Sequence, residues 1–263
     1  MPQISIITTA YNRENYISYT LESVLSSTFK DFELIIVDDC STDNTVNIAK
    51  HYEALDSRVK VYVNELNLGD YPNRNKAASY ANGKYLKFLD SDDLIYSHSL
   101  QVMIDAMNKF PNAAFGLSAS PQYNEPYPII ISPDKAYLQH FKGFGHFNRA
   151  PGSSIIKREI FEYEKGFNET KHISDTEFWF RLARKYDLVL FQRDLVWDRC
   201  HEETESAYEK KNSRIVKQRR KLVRMQLLDK DCPLNEKEIK KISNQIIFKR
   251  LKSIILNAIK FQR

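Results

Sequence analysis

Apolar positions along residues 1–118 follow two alternating rhythms. Short runs rich in β-branched and aromatic residues occur at 4–10 (ISIITTA), 32–39 (FELIIVDD), 59–65 (VKVYVNE), 84–90 (KYLKFLD) and 113–118 (AAFGLS). Runs of that length and composition form buried strands. Between them the period changes. Ile17, Leu21, Val24 and Leu25 recur at helical spacing within 14–27, and residues 41–55 open with Ser, Thr and Asp that cap a helix. The spacing predicts a third helix over 73–82, ended by Gly83, and a fourth over 97–110. Strands alternating with helices imply an α/β fold with a mostly parallel sheet covered on both faces.

The texture changes at residues 120–133, where Pro121, Pro126, Pro128 and Pro133 break any regular helix and predict a long loop or an irregular strand pair. The second half is mixed. A helix is expected over 175–186 (DTEFWFRLARKY) and strands over 188–192 and 195–199. After Glu202 the chain reads as helical, charged and free of glycine. This divides it into a domain of residues 1–204, with halves 1–118 and 119–204, and a basic helical tail of residues 205–263.

Composition changes the picture in three ways. A hydrophobic fraction of 42% and an aromatic fraction of 12% exclude a disordered chain. The cysteines Cys40, Cys200 and Cys232 are widely spaced, and they are expected to be reduced thiols of a cytosolic protein. Neither a secretory leader nor an apolar run of the ~20 residues that span a bilayer is expected. The net charge of +5 is unevenly spread: residues 205–263 carry 17 Lys/Arg against 6 Asp/Glu, a balance of +11 that leaves −6 for the rest. Such a tail either meets an anionic surface or is a solvated lysine-rich helix.

Candidate chemistry concentrates at strand ends, where parallel α/β sheets place their ligands. Three polar clusters fall there: Thr8–Asn12, Asp38–Asp43 and Asp90–Asp93. Each could be a turn or a helix cap, and Asp43 is read as one. Together they predict a single site built from three loops. Asp90, Asp92 and Asp93 repel one another unless a cation neutralises them. Carboxylates suit Mg2+ or Mn2+ bound together with substrate phosphates; the alternative is an acidic helix start stabilised by the helix dipole. The seven glycines form neither GxGxxG nor a P-loop. That argues against a dehydrogenase or a P-loop ATPase, and leaves a diphosphate to be neutralised by metal and by side chains such as Arg74.

The ordered set TAYN, VDDCSTDNT, NLGDYPNRNKA, GKYLKFLDSDDL, PGSSIIKREIFEYEKGF, SDTEFWFRL and DRCHEETES resembles the family 2 glycosyltransferases of GT-A fold, over roughly residues 2–206. The resemblance implies a Rossmann-like, mostly parallel sheet flanked by helices, extended here by the C-terminal helices. It implies that Thr9, Tyr11 and Asp39 hold nucleobase and ribose, that Arg74 lies near base or diphosphate, and that Asp90 and Asp92 contact the nucleotide. Asp92, Asp93 and His201 would hold Mg2+ or Mn2+, and Arg199 would help bind diphosphate. Asp175 matches the general base on the acceptor side; the family often has Glu-Asp there, where this chain has Ser174-Asp175. The implied donor is a nucleoside diphosphate sugar, UDP- or dTDP-linked, and the implied acceptor a glycan or lipid-linked glycan. Acceptor contacts are expected from residues 120–150, with Tyr123, Tyr127, Phe144 and Phe147.

Two other classes share parts of this pattern. A nucleotidyltransferase would use the same metal and nucleotide chemistry, but the chain has no Gly-rich, lysine-bearing nucleotide loop. A non-catalytic binding module would not need the acidic cluster and Asp175. In the tail, Ile239, Ile242, Ile246, Leu251, Ile254, Ala258 and Ile259 recur at mostly helical spacing among lysines and arginines. That is a basic amphipathic helix. It lies on an anionic membrane surface or packs on the catalytic domain with its lysines outward. Nucleic acid is not expected as a partner, because no binding motif accompanies the charge. The expected location is cytoplasmic, peripheral on the inner face of the cell membrane.

Overall fold

The computed structural model describes residues 1–121, 125–200 and 212–261. Strands β1 (Ile4–Ala10), β2 (Phe32–Asp38), β3 (Val59–Val63) and β4 (Tyr85–Phe88) alternate with helices α1 (Ile17–Leu25), α2 (Thr45–Leu55) and α3 (Asp70–Ser79). The short β5 (Leu94–Ile95), α4 (Ser99–Lys109), β6 (Phe115–Ser118), β7 (Ile129–Ile131) and α5 (Pro133–Gln139) follow. Then come β8 (Ser154–Lys157), α6 (Arg158–Tyr163), α7 (Ser174–Ala183), β9 (Leu188–Phe191) and β10 (Val196–Trp197). Two helices, α8 (Ser213–Leu227) and α9 (Glu236–Phe261), end the chain.

Eight strands form one sheet in the order β3-β2-β1-β4-β8-β6-β9-β7. The first four are parallel. β8 runs antiparallel to both β4 and β6, β6 and β9 are parallel, and β7 is antiparallel to β9. β5 and β10 pair separately. Alternate residues of the buried strands feed two apolar layers, one on each face. Ile4, Ile6, Leu34 and Ile36 pack with Ile17, Leu21, Leu100 and Met103. Ile7, Ile35, Val37 and Phe88 pack with Ala77, Phe178, Trp179 and Leu182. The period-2 direction of strand side chains explains this split.

Several elements differ from expectation for identifiable reasons. α3 starts at Asp70, three residues early, because Pro72 falls within its first turn, where a missing N–H costs nothing. It ends at Ser79, before Gly83. That glycine serves close packing: a Cβ there would lie 2.5 Å from the Ser5 amide nitrogen. Pro133 does not break a helix but opens α5, the position where proline is favoured. The antiparallel β8 comes from residues 154–157. Phe147 is fully buried against Tyr137, His140 and Phe180 rather than presented to an acceptor; Tyr123 lies outside the described residues.

The start of the tail is built onto the domain. Ile215, Leu227, Leu234 and Ile242 are buried, and Ile239 packs against the same core. Arg184 of the α7 C-cap pairs with Asp229 at 3.0 Å and donates to Gln226. Ile246, Ile247 and Phe248, further along α9, are exposed. No described helix is long and apolar enough to cross a membrane.

Candidate active site

The carboxyl ends of β1, β2 and β4 open into one cleft of about 520 Å³. Thr9 and Tyr11 come from the end of β1, Asp39 from the end of β2, and Arg74 from α3. Asp90, Asp92 and Asp93 come from the end of β4, Asp175 from the first turn of α7, and Arg199 from just after β10. Nine sequence-predicted residues therefore line the same cleft. His201 lies outside the described residues.

Local hydrogen bonds explain why the loops meet. Asn12, with φ of 51°, donates its amide to Ser41 Oγ at 2.8 Å and accepts from the Thr42 amide at 2.9 Å. This joins the β1 loop to the β2 loop. The N-cap of α2 is Asn44 rather than the expected Asp43; one residue earlier, Asp43 accepts from the Thr45 amide at 3.0 Å and from the Glu14 amide at 3.1 Å, and so ties the β1 loop to the start of α2. Asp39 is tied on both oxygens: one accepts from Leu68 N and Asn64 Nδ2, the other from Gly69 N, at 2.8–2.9 Å. Gly69 has φ of +84°, a conformation that favours glycine. The aspartate thus fixes the loop that launches α3 and, through it, Arg74.

Arg74 is buried between Asp70, at 2.6 Å, and Asp90, at 2.8 Å. Burial alone would lower its affinity for a proton; the two carboxylates outweigh that and hold the guanidinium above its ordinary range. Asp92 faces Arg13 Nε at 3.4 Å. Asp93 accepts from the Arg199 amide at 2.9 Å. Its carboxyl is pushed up to about 8 by burial first, then by Asp90, with Asp198 and Asp92 adding to the effect. Asp198 is also raised, by burial and then by Asp90. Arg199 Nε donates to the Asp92 carbonyl at 2.9 Å, and its guanidinium lies over the rings of Trp197 and Tyr16 at 5.0 and 5.2 Å. It therefore braces the acidic loop as well as lining the cleft.

Three charged residues escaped sequence reasoning: Arg13, Asp198 and Lys87. The first two line the cleft. Lys87 lies beneath it, fully buried in β4, with Nζ donating to the carbonyls of Phe88 (2.9 Å) and Gly152. Burial pulls it down to about 8, opposed by the charges of Asp90, Asp93 and Asp198. It ties the end of the acidic strand to the turn that carries Pro151, another residue of the cleft wall. A lysine inside an apolar strand gives one readable signal: it breaks the run KYLKFLD on a strand buried on both faces.

Among the described residues, no three His, Cys, Asp or Glu side chains already converge on a metal-binding position. The donor set nonetheless fits a hard divalent cation. Its oxygens are carboxylates, and burial first and repulsion by Asp90 second raise Asp93 and Asp198 toward protonation, a cost that a bound cation would relieve.

The model of glycosyl transferase family 2 matches residues 5–164. The chain belongs to this family. Over 106 residues it is 42% identical to the UDP-Glc:alpha-D-GlcNAc-diphosphoundecaprenol beta-1,3-glucosyltransferase WfgD of Escherichia coli, covering 40% of this chain and 41% of the relative. Over 200 residues it is 26% identical to the GalNAc(5)-diNAcBac-PP-undecaprenol beta-1,3-glucosyltransferase of Campylobacter jejuni, covering 70% of this chain and 61% of the relative. The chain thus spans less than two thirds of either relative. The structure of S. aureus TarS residues 1–349 with UDP superposes with a TM-score of 0.68 at 21% identity, covering 92% of this chain and 69% of that one. The family 2 chain therefore has the GT-A fold expected of it.

Proposed function

We propose that this protein transfers a sugar, with inversion, from a nucleoside diphosphate sugar to a hydroxyl of a glycan or lipid-linked acceptor, in the synthesis of a bacterial surface polysaccharide. The observation that carries the reading is the convergence of four carboxylates from the ends of β2 and β4, a buried arginine and Asp175 on one cleft. Thr9, Tyr11 and Asp39 hold the base and ribose; Asp39 keeps lone pairs beyond the three bonds it accepts from its own loop. Asp90 meets the ribose. Arg74, Arg13 and Arg199 supply positive charge along the diphosphate. Asp92, Asp93 and, outside the described residues, His201 would hold Mg2+ or Mn2+. A cation bound there would supply positive charge to offset that developing on the leaving diphosphate.

The remaining chemistry belongs to Asp175. The acceptor oxygen forms a bond to the anomeric carbon while the bond from that carbon to the diphosphate oxygen breaks. The hydroxyl proton passes to the Asp175 carboxylate, and the nucleoside diphosphate departs with the electron pair. Both named relatives use diphosphoundecaprenol-linked acceptors, by their names, and TarS was crystallised with UDP. These support a UDP-sugar donor and a lipid-linked acceptor; a dTDP-sugar donor, work at the inner face of the cell membrane and contact through the basic tail are part of the proposal. Incubation with a panel of nucleoside diphosphate sugars and Mn2+, followed by assay of free nucleoside diphosphate, tests the reading. Slow release from one donor, lost in Asp92→Ala and on chelation, is expected. Metal-independent turnover would remove the cation from the scheme, and no turnover or binding of any donor would overturn the function.

A further inference from the structure

Helix α8 carries six cations, Arg214, Lys217, Arg219, Arg220, Lys221 and Arg224, and no acidic residue in its 15 positions. The helix is two-sided. Ile215, Gln226 and Leu227 are buried, and Arg219 reaches back to donate to the His172 carbonyl at 3.1 Å. That contact sets α8 beside the entry to α7, three residues before Asp175. The outer side repeats at 214, 217, 221 and 224, a spacing that keeps four side chains in one stripe. All four are exposed, and none pairs with a carboxylate among the described residues. Like charges at such spacing weaken a helix unless something outside it offsets them. Met225 and Leu228 fall on the same side, each 58% exposed.

We propose that this stripe is the surface on which the protein meets an anionic phospholipid bilayer, with the cations among the headgroups and Met225 and Leu228 entering the acyl boundary. Apolar side chains set among exposed cations favour a lipid surface over a soluble polyanion, which would gain nothing from them. The face expected from periodicity, 239–261, is partly spent on packing, since Ile239 and Ile242 join the core. The stripe therefore relocates the contact to α8 and puts it next to the helix that carries Asp175. The proposal takes its partner from the membrane-facing reading above, but its test uses neither donor nor metal nor acceptor, so the two fail separately.

The test is sedimentation of the full chain with phosphatidylcholine vesicles with and without phosphatidylglycerol. Binding to the anionic vesicles at about 50 mM salt and release at about 500 mM is expected. The variant Arg214→Gln/Lys217→Gln/Lys221→Gln/Arg224→Gln should lose at least about tenfold in partitioning, since each cation at the surface is worth about fivefold. Met225→Ser/Leu228→Ser should weaken partitioning onto the anionic vesicles at about 50 mM salt. Lys237→Gln/Lys240→Gln/Lys241→Gln on α9 should bind as the parent does. All these side chains are exposed, and circular dichroism checks that each variant is folded. The assignment is overturned if the parent ignores anionic vesicles or self-associates instead. It is equally overturned if the four-site variant still binds them, or if the parent takes up soluble nucleic acid but not lipid.

Discussion

In the proposed mechanism Asp175 serves structure and chemistry together. It sits in the first turn of α7 and accepts from the Thr176 amide at 2.5 Å, which satisfies a helix-start donor. Asparagine keeps that acceptor and the shape, but cannot take a proton. Asp175→Asn is therefore expected to retain donor affinity and thermal stability while kcat for sugar transfer falls about 100-fold or more, the scale of a lost general base. Single-turnover transfer and calorimetry on the same sample check this; unchanged transfer would remove the assignment. Asp175 was legible because its motif and a helix start coincide. So were Asp90, Asp92 and Asp93, since three carboxylates at a strand end are unusual wherever they occur. Lys87 and Asp198 were not. Their importance depends on which strand lies next to which, and β10 reaches the acidic loop only through pairing with β5, about 100 residues away in sequence.

At the scale of elements, periodicity located the parallel half because β1, β2 and β4 are buried along nearly their whole length, each helix buries one face, and the largely exposed edge strand β3 still carries alternating β-branched residues. It failed where proline has two meanings. Pro133 stops nothing, as it opens the first turn of α5, where an N–H has no acceptor within the helix. The element it opens builds an aromatic pocket around two histidines. His140 accepts from the Phe147 amide on Nδ1 at 3.1 Å and stacks on that ring at 4.7 Å, and His146 Nε2 meets Gln139 Oε1 at 3.0 Å. Burial, and then the neighbouring His146, pulls His140 down to about 3; burial, and then Arg149, pulls His146 down to about 4. Both stay neutral in the fold, whereas the unfolded chain takes up their protons below about pH 6.5. The unfolded state then binds more protons. Their stabilising contribution is full above pH 6.5 and is lost progressively as pH falls toward the folded values. Each histidine is expected to cost about 1–2 kcal/mol between pH 7 and 5. Asp93 works in the opposite sense, since its carboxyl is raised in the fold. The measurement is therefore a difference: denaturant melts of the parent and of His140→Asn/His146→Gln at both pH values. The variant should be less stable at pH 7 yet lose less on acidification. Parallel pH slopes would show that the pair titrates alike in both states.

On the scale of the whole molecule, the chain joins two demands that the sequence presents separately. A cleft at one end of the sheet needs rigid walls, and a basic tail needs an anchor. Arg184 links them. Its Nε donates to the hydroxyl of Tyr137 at 3.2 Å, that hydroxyl donates to the Phe180 carbonyl at 2.9 Å, and the remaining guanidinium nitrogens hold Asp229 and Gln226. Charge counting alone makes the tail a unit of its own, because its +11 contrasts with the remainder; only the contacts reveal how much apolar surface it shares with α7. Leu234 and Ile242 are 6% and 3% exposed, and both join the core that also holds Phe178 and Trp179. Full burial of such a side chain contributes about 1.5–3 kcal/mol, so cutting the chain after Asp231 removes several kcal/mol and bares part of the core that holds Phe178 and Trp179 of α7. Cutting after Ile247 leaves those two residues and Ile239 in place. The shorter form is expected to melt well below the parent, and the longer form within a few degrees of it, when both are followed by circular dichroism at low protein concentration. If the two melt together, Leu234 and Ile242 are ornaments of the surface and the core of this protein ends before α9.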